Sequence, residues 1–264
     1  MFNRTILLLL ISICSVLAGC ATNPVTGQNQ LMLISPQQEL ELGRQYSPEV
    51  QKQLGGPISN PQIQSYVAGV GAKIARAGHM PDLEFHYTAV NDKSINAMAL
   101  PGGHIFITRG MLQNIRTEAQ LAAILAHETV HVTARHSADA MSKQIGMSIL
   151  LSAVTSKKTS QTLVSVAELG AQILSLKYSR TAEYEADTFG LDYMAKAGYN
   201  PSAMVELMEI LESQNSARPI EFFSTHPNPA SRKEKIRQHI ASMTPSDELA
   251  TGQADYKKNV LEKL

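Results

Sequence analysis

No sign of charge dominates this chain: 23 lysines and arginines face 23 aspartates and glutamates. Without a basic field to hold a phosphate backbone, no nucleic-acid partner is expected. Also missing is any apolar run of the roughly twenty residues that a membrane-spanning helix needs. The two longest candidates, Ile6 to Leu17 and Ile145 to Val154, both fall short, and the polar stretch Ser156-Lys157-Lys158-Thr159-Ser160 ends the second. That second run reads as part of a buried helix pair. Internal repeats and low-complexity tracts are absent too, so no repeat architecture is expected. What is present is 264 residues with 44% hydrophobic content, enough for the core of one generous domain or two small ones.

Arg4 precedes the Ile6–Leu17 run, which has the length of a secretory-signal core and ends in Leu17-Ala18-Gly19-Cys20. That tetrapeptide resembles the lipobox of bacterial lipoproteins, where cleavage leaves the cysteine as a lipid-bearing N-terminus. Residues 1–19 are therefore expected to be a lipoprotein signal peptide and Cys20 the lipidation site, with an ordinary secretory signal as the alternative. An aspartate after the cysteine commonly retains a lipoprotein in the inner membrane. Ala21 at that place points, by the same resemblance, to outer-membrane lipid at the periplasmic face. Cysteine is otherwise scarce: Cys14 would leave with the signal, so the mature chain would have no thiol pair for a disulfide.

Residues 20–34 are turn-rich and then apolar, the pattern of a tether. Ser35-Pro36 reads as an N-cap and first helical residue opening a helix to about Val50, and a second helix is expected over about 60–77. Residues 83–90 alternate like a strand, and Asn96 to Gly110 holds two further short strands around Pro101-Gly102-Gly103. Pro-Gly suits the centre of a type II turn, so a small antiparallel sheet is expected. From Thr117 the chain reads helical, over about 117–142, 144–155, 161–197, 201–215 and 229–241. The fold class is thus α+β and mainly helical, with one domain over 35–241 and a polar tail over 242–264 that is loose until a short terminal turn.

Within the first of these helices, "LAAILAHETVHVTARHS" crowds three histidines and a glutamate. Thr117 with Gln120 makes a capping-box pattern, which sets the helical ruler. On that ruler His127 and His131 lie about 40° apart and one turn on, so both imidazoles reach one ion. Glu128 lies about 100° round from His127, beside the ion rather than on it. In an unbroken helix His136 falls about 180° from His127, so it is assigned a structural role, with Arg135 as a candidate neighbour. The pattern is HExxH, the zincin signature, in which zinc acidifies a water and the glutamate acts as general base. Surface histidines on an amphipathic helix would spell the same letters. The preceding Ala123-Ile124-Leu125-Ala126 instead places the motif on a buried helix, where unpaired imidazoles are costly.

A catalytic zinc takes a third protein ligand and leaves one position open. The candidate lies in "YSRTAEYEADTFG", where Glu183 and Asp187 share a helix face and Glu185 points about 160° away from Glu183. Glu183 is expected on the metal and Asp187 on the ring N–H of a ligating histidine. Arg180, on the same side as Glu183, is suited to holding a carboxylate or an oxyanion, or to an ordinary ion pair along the helix.

With these pieces the chain resembles metallopeptidase family 48, the group that holds HtpX and the type 1 CAAX prenyl proteases beside lipid-anchored periplasmic members. The resemblance rests on Asn96-Ala97 leading to Leu100-Pro101-Gly102-Gly103, on "HETVHVTARHS", on "SRTAEYEAD" and on "STHPNPASRKEKI", in that order over roughly residues 35–241. It implies a gluzincin fold, one Zn2+ per chain on His127, His131 and Glu183, Glu128 as catalytic base, and endopeptidase activity. It also implies that His226, in a His-Pro loop, approaches the metal and restrains activity or touches the transition state. Two departures are expected: no spanning helices, and no C-terminal tetratricopeptide domain, since about twenty residues follow Ala241.

The expected substrates are unfolded or misassembled envelope proteins, bound extended along a strand formed by His104, Ile105, Phe106, Ile107 and Thr108. The rival reading is a non-catalytic lipoprotein holdase for outer-membrane clients, against which an intact Glu128 argues. A hydrolase of cell-wall peptide is a further option. The remaining histidines, His79, His86, His104 and His239, show no partner spacing and read as surface or strand residues. Nothing in the sequence sets the oligomeric state.

Overall fold

The computed structural model describes residues 20–154, 176–228, 231–244 and 249–264. Its elements run β1 (Cys20–Thr22), β2 (Asn29–Leu31), α1 (Pro36–Gln53), α2 (Pro61–Ala77), β3 (His86–Val90), β4 (Ala97–Leu100), β5 (His104–Thr108), α3 (Arg109–Asn114) and α4 (Glu118–Thr133). Then come α5 (His136–Val154), α6 (Arg180–Lys196), α7 (Ser202–Ala217), α8 (Phe222–Thr225), α9 (Ser231–Ser242) and α10 (Gln253–Tyr256), which runs into a π turn at Lys257–Leu261. The mainly helical α+β class is as expected. Among the described residues no helix is long and apolar enough to cross a membrane.

The helix starts follow from side-chain chemistry. Ser35 caps α1 in a full capping box with Gln38, and Pro36 takes the first turn, where its missing N–H has no partner to lose. Thr117 Oγ1 accepts from Gln120 N at 3.1 Å, but Gln120 Oε1 reaches one residue further back, to Arg116 N at 2.7 Å. The cap is therefore real and only half the expected box. Helix α4 is the centre of the molecule: every residue in it after Glu118 is buried. It packs on α2, α6 and α7 and against β4. Its alanines at 122, 123 and 126 let neighbours come close. Gly190 of α6 belongs to the same contact, because a Cβ there would lie 3.4 Å from His127 N.

The three-stranded sheet has the order β3-β5-β4. Strands β4 and β5 pair antiparallel, as expected, with Leu100 opposite His104. Between them Gly102 has φ 77° and ψ 15°, the dihedrals of the third residue of a type II turn. The wholly antiparallel sheet is corrected by β3, which pairs parallel to β5 with His86 opposite His104. The cause is the continuous apolar run Ile105-Phe106-Ile107, buried on both faces, which belongs in a central strand. Sequence alternation sees strands but not their order. Because β5 is central, His104–Thr108 has both edges occupied and cannot receive a substrate strand. The sheet's edges are β3, whose Ala89 O already accepts from Ile58 N at 2.9 Å, and β4.

Three further expectations change. Residues 20–34 are not a loose tether. They form a hairpin with Cys20 opposite Leu31, and Val25, Met32 and Ile34 are buried. Nor is the tail loose, since Tyr256 and Val260 are fully buried and the Tyr256 hydroxyl donates to Leu112 O at 2.7 Å. Thr251 O accepts from Ala119 N at 3.0 Å, so the tail completes the N-terminus of α4. Finally, the helix expected over 117–142 breaks after Thr133. Arg135 has φ 59°, a left-handed conformation that side-chain-bearing residues rarely adopt. The Arg135 guanidinium holds that turn from the other side of the molecule, donating from Nε to Glu39 Oε1 at 2.6 Å and from Nη2 to Ile34 O at 2.8 Å.

Candidate metal centre

Four side chains converge between α4 and α6. His127, His131, Glu183 and His226 are all buried, and one potential ligand atom from each lies within 4.8 Å of the others. His127 and His131 come from one helical turn with their Nε2 atoms 3.1 Å apart. Glu183 enters from the first turn of α6, with Oε2 3.5 Å from His127 Nε2 and Oε1 3.4 Å from His131 Nε2. Zinc bonded tetrahedrally at about 2.0–2.1 Å holds its ligand atoms roughly 3.3–3.5 Å apart. The three residues therefore fit the ion. The orphaned acceptors agree: both oxygens of Glu128 are buried without a hydrogen bond. Buried acceptors left in that state are costly unless a cation, water or substrate completes them.

The groups behind the ligands set their tautomers. Asp187 Oδ1 lies 3.1 Å from His127 Nδ1, as expected, so Nδ1 carries the proton and Nε2 faces the cluster. Asp187 is in turn gripped by Arg232 of α9, whose Nε donates to Oδ2 at 2.8 Å and Nη2 to Oδ1 at 2.7 Å. Arg232 Nη1 also lies 2.7 Å from Glu183 Oε2. Burial alone would push both carboxyls up. The Arg232 charge more than offsets it at Asp187, while His226, His127 and His131 hold Glu183 well below the usual carboxylate range. At His127 burial favours the neutral ring, but the hydrogen bonds to Asp187 and Glu183 outweigh it and bring the ring to about 9. His131 is held well below the usual imidazole value, chiefly by burial.

Glu128 projects beside the cluster rather than into it, as its angle on the helix predicts. Burial raises its carboxyl above the ordinary value against the charges of His226 and His127. His226 lies against the other ligands, with Nδ1 3.1 Å from Glu183 Oε1 and 3.3 Å from His127 Nε2, and Nε2 3.5 Å from Glu128 Oε1. Its ring stacks on Phe222 with centroids 4.4 Å apart. It therefore occupies the fourth corner of the ligand set.

Arg180 is the site residue that the structure moves elsewhere. It is exposed at the first position of α6, and among the described residues no contact links it to the cluster. Its expected role of holding a carboxylate falls to Arg232. Sequence spacing could not find Arg232, because it reaches Asp187 across a helix-helix contact. The only clue was its place within the "STHPNPASRKEKI" segment. Tyr178 was missed likewise: its ring stacks on His131 with centroids 3.8 Å apart and its hydroxyl lies 3.1 Å from Ser137 Oγ. The histidines outside the site do have partners: His79 lies 2.7 Å from the Tyr193 hydroxyl, His239 lies 3.0 Å from Asp192, and the rings of His86 and His104 stack with centroids 4.7 Å apart.

An HExxH helix completed by a glutamate from a second helix, with a buried carboxylate alongside, is the centre of a gluzincin-type metallopeptidase. The chain belongs to Peptidase family M48, whose profile matches residues 61–240. It is 29% identical over 238 residues to the beta-barrel assembly-enhancing protease of Escherichia coli (strain K12), covering 85% of this chain and 48% of that one. It is 31% identical over 224 residues to mitochondrial metalloendopeptidase OMA1 of Schizosaccharomyces pombe, covering 82% and 65%. Metalloprotease YcaL of Escherichia coli (strain K12) is 27% identical over 192 residues, covering 70% and 75%. The chain thus spans about half the length of the first of these relatives.

Replacing Arg232 tests the electrostatic frame. Arg232→Ala leaves two buried carboxylates without their cation and is expected to cost about 3–5 kcal/mol of stability in urea unfolding. Arg232→Lys should recover only part of this, because one ammonium cannot reproduce the two-pronged contact with Asp187. A loss for the alanine variant no larger than that of an exposed ion pair would refute the assignment.

Proposed function

We propose that this protein is a zinc-dependent endopeptidase that cleaves unfolded or misassembled proteins of the bacterial cell envelope. The observation that carries the reading is the convergence of His127, His131 and Glu183 beside the unpartnered carboxylate of Glu128. When bound there, zinc would supply Lewis acidity, polarising a peptide carbonyl and acidifying water. Glu128 takes the proton of the attacking water and returns it to the leaving amine. Its burial helps, because a carboxyl raised above its ordinary value holds the transferred proton more readily. Asp187 and Arg232 hold the His127 ring in the tautomer that presents Nε2.

The substrate docks on β4, not on β5. Thr108 N donates to Asn96 O at 3.1 Å, and antiparallel bonds alternate, so Ala97 and Ala99 turn their N–H and C=O groups away from β5. Just before the strand Ile95 O already accepts from Phe222 N on that outer side, at 3.1 Å. Met98, Ala99 and Leu100 line a small cavity together with Tyr178, Thr225 and His226, so a peptide added to this edge runs beside the metal centre. Backbone pairing of this kind selects for extended chain more than for sequence. That selectivity supports unfolded substrates, and the name of the Escherichia coli relative, a beta-barrel assembly-enhancing protease, supports envelope clients. The lipobox-like Leu17-Ala18-Gly19-Cys20 supports attachment to outer-membrane lipid through Cys20 at the periplasmic face.

In this reading His226 is a gate. It fills the corner that water and the substrate carbonyl need, and the short helix α8 carries it with a single backbone bond from its N to Phe222 O at 3.0 Å.

Three measurements decide these points. Glu128→Gln is expected to retain zinc and lose casein cleavage by a factor of about 100 or more. Undiminished cleavage would rule out the mechanism and leave the non-catalytic holdase. A photo-crosslinking residue at Met98 in that inactive variant is expected to capture denatured casein, and the absence of adducts there would sink edge docking. His226→Ala is expected to raise casein turnover, whereas a fall would make His226 a contributor to catalysis instead of a gate.

A further inference from the structure

His136 and Glu185 stand behind the second metal ligand, and nothing in the mechanism above uses them. An unbroken helix would carry His136 to the far side of α4. The left-handed turn at Arg135 starts a new helix at His136 and swings the ring back onto the site. There His136 Nδ1 lies 2.9 Å from His131 Nδ1, and His136 Nε2 lies 3.1 Å from Glu185 Oε2. Both histidines are buried. Glu185 is the acid that helical geometry turns away from Glu183, and it reaches His136 because α5 begins beside α6.

We propose that Glu185 and His136 form a positioning relay for His131, the counterpart of what Arg232 and Asp187 do for His127. This rests on the metal-centre reading given above. The direction of the hydrogen bonds follows from what each atom can do. Glu185 as a carboxylate only accepts, so His136 Nε2 carries the proton that faces it. For His131 to present its Nε2 to the metal its Nδ1 must carry the hydrogen, so the hydrogen between the two Nδ1 atoms belongs to His131 and His136 Nδ1 accepts it. His131 is thereby fixed as the Nδ1–H tautomer, its Nε2 lone pair directed toward His127 Nε2 and Glu183. Stacking on Tyr178 fixes the ring plane as well. Arg135 anchors the arrangement, since its bonds to Glu39 and Ile34 O hold the turn that places His136. The N-terminal arm and α1 thus reach the metal through Arg135, His136 and His131.

The test uses the full chain and zinc ion alone, titrated against a chromophoric chelator. His136→Ala is expected to weaken zinc binding by about 10–100-fold, the usual effect of removing a partner that orients a ligand. Glu185→Ala should weaken it less. His136→Gln should restore most of the affinity, because its amide can accept from His131 and donate to Glu185. Thermal unfolding of the metal-free proteins should shift far less than zinc affinity does. Zinc binding by folded His136→Ala as tight as that of the unaltered chain would overturn the relay, as would equal weakening by the alanine and glutamine variants. Should His136→Ala fail to fold, Glu185→Ala decides, and unchanged affinity there refutes the proposal. Failure of the unaltered chain to take zinc would instead bring down the metal centre itself, and the relay with it.

Discussion

The structure depends on burying one helix that carries charge-bearing side chains at its centre. A run such as Ala122-Ala123-Ile124-Leu125-Ala126 allows α6 to approach closely, and Gly190 removes the last obstacle at the height of His127. Close approach is what lets Glu183 and Asp187 reach across at all. The same burial makes every unpaired polar atom there expensive. The site must therefore be either fully partnered or completed by a cation, and its ligand side is partnered almost to the last atom while Glu128 is not. That asymmetry sets Glu128 apart from Glu183 and Asp187, which are paired.

Both imidazoles of the HExxH turn, His127 and His131, are held from behind, and by unlike means. His127 has a direct carboxylate, itself fixed by an arginine from α9. His131 has a histidine interposed before its carboxylate, and that histidine is where it is because one residue takes a left-handed turn. The consequence reaches beyond the metal. Segments remote in sequence, the arm before α1 and the loop between α8 and α9, each send a side chain or a carbonyl into the frame of the same two rings. The family to which the chain belongs is recognised from residues 61–240, yet Ile34 and Glu39 lie before that range and still bear on the site.

The sheet shows how strand order decides which strand lies at an edge. The residues expected to bind substrate, His104–Thr108, lie in the middle of the sheet, and the strand one hairpin away, β4, lies at an edge. Both strands are short and apolar, and they flank the same turn. What tells them apart is β3, which pairs from the other side in parallel, a contact between segments that no local pattern announces.

Short-range chemistry is legible in the residue order alone: the pair His127 and His131, the offset of Glu128, the shared face of Glu183 and Asp187, the caps at Ser35 and Thr117, and the type II turn at Gly102. These follow from bonds and dihedrals within a few residues, and such constraints are written locally. Only the tertiary structure decided that Arg232 and not Arg180 holds the acids, that His136 turns back to His131, that β5 is central, and that residues 20–34 and the tail past residue 249 join the core. Each of these turns on which distant surfaces meet. That choice is made by summed burial over many residues, so no single motif records it.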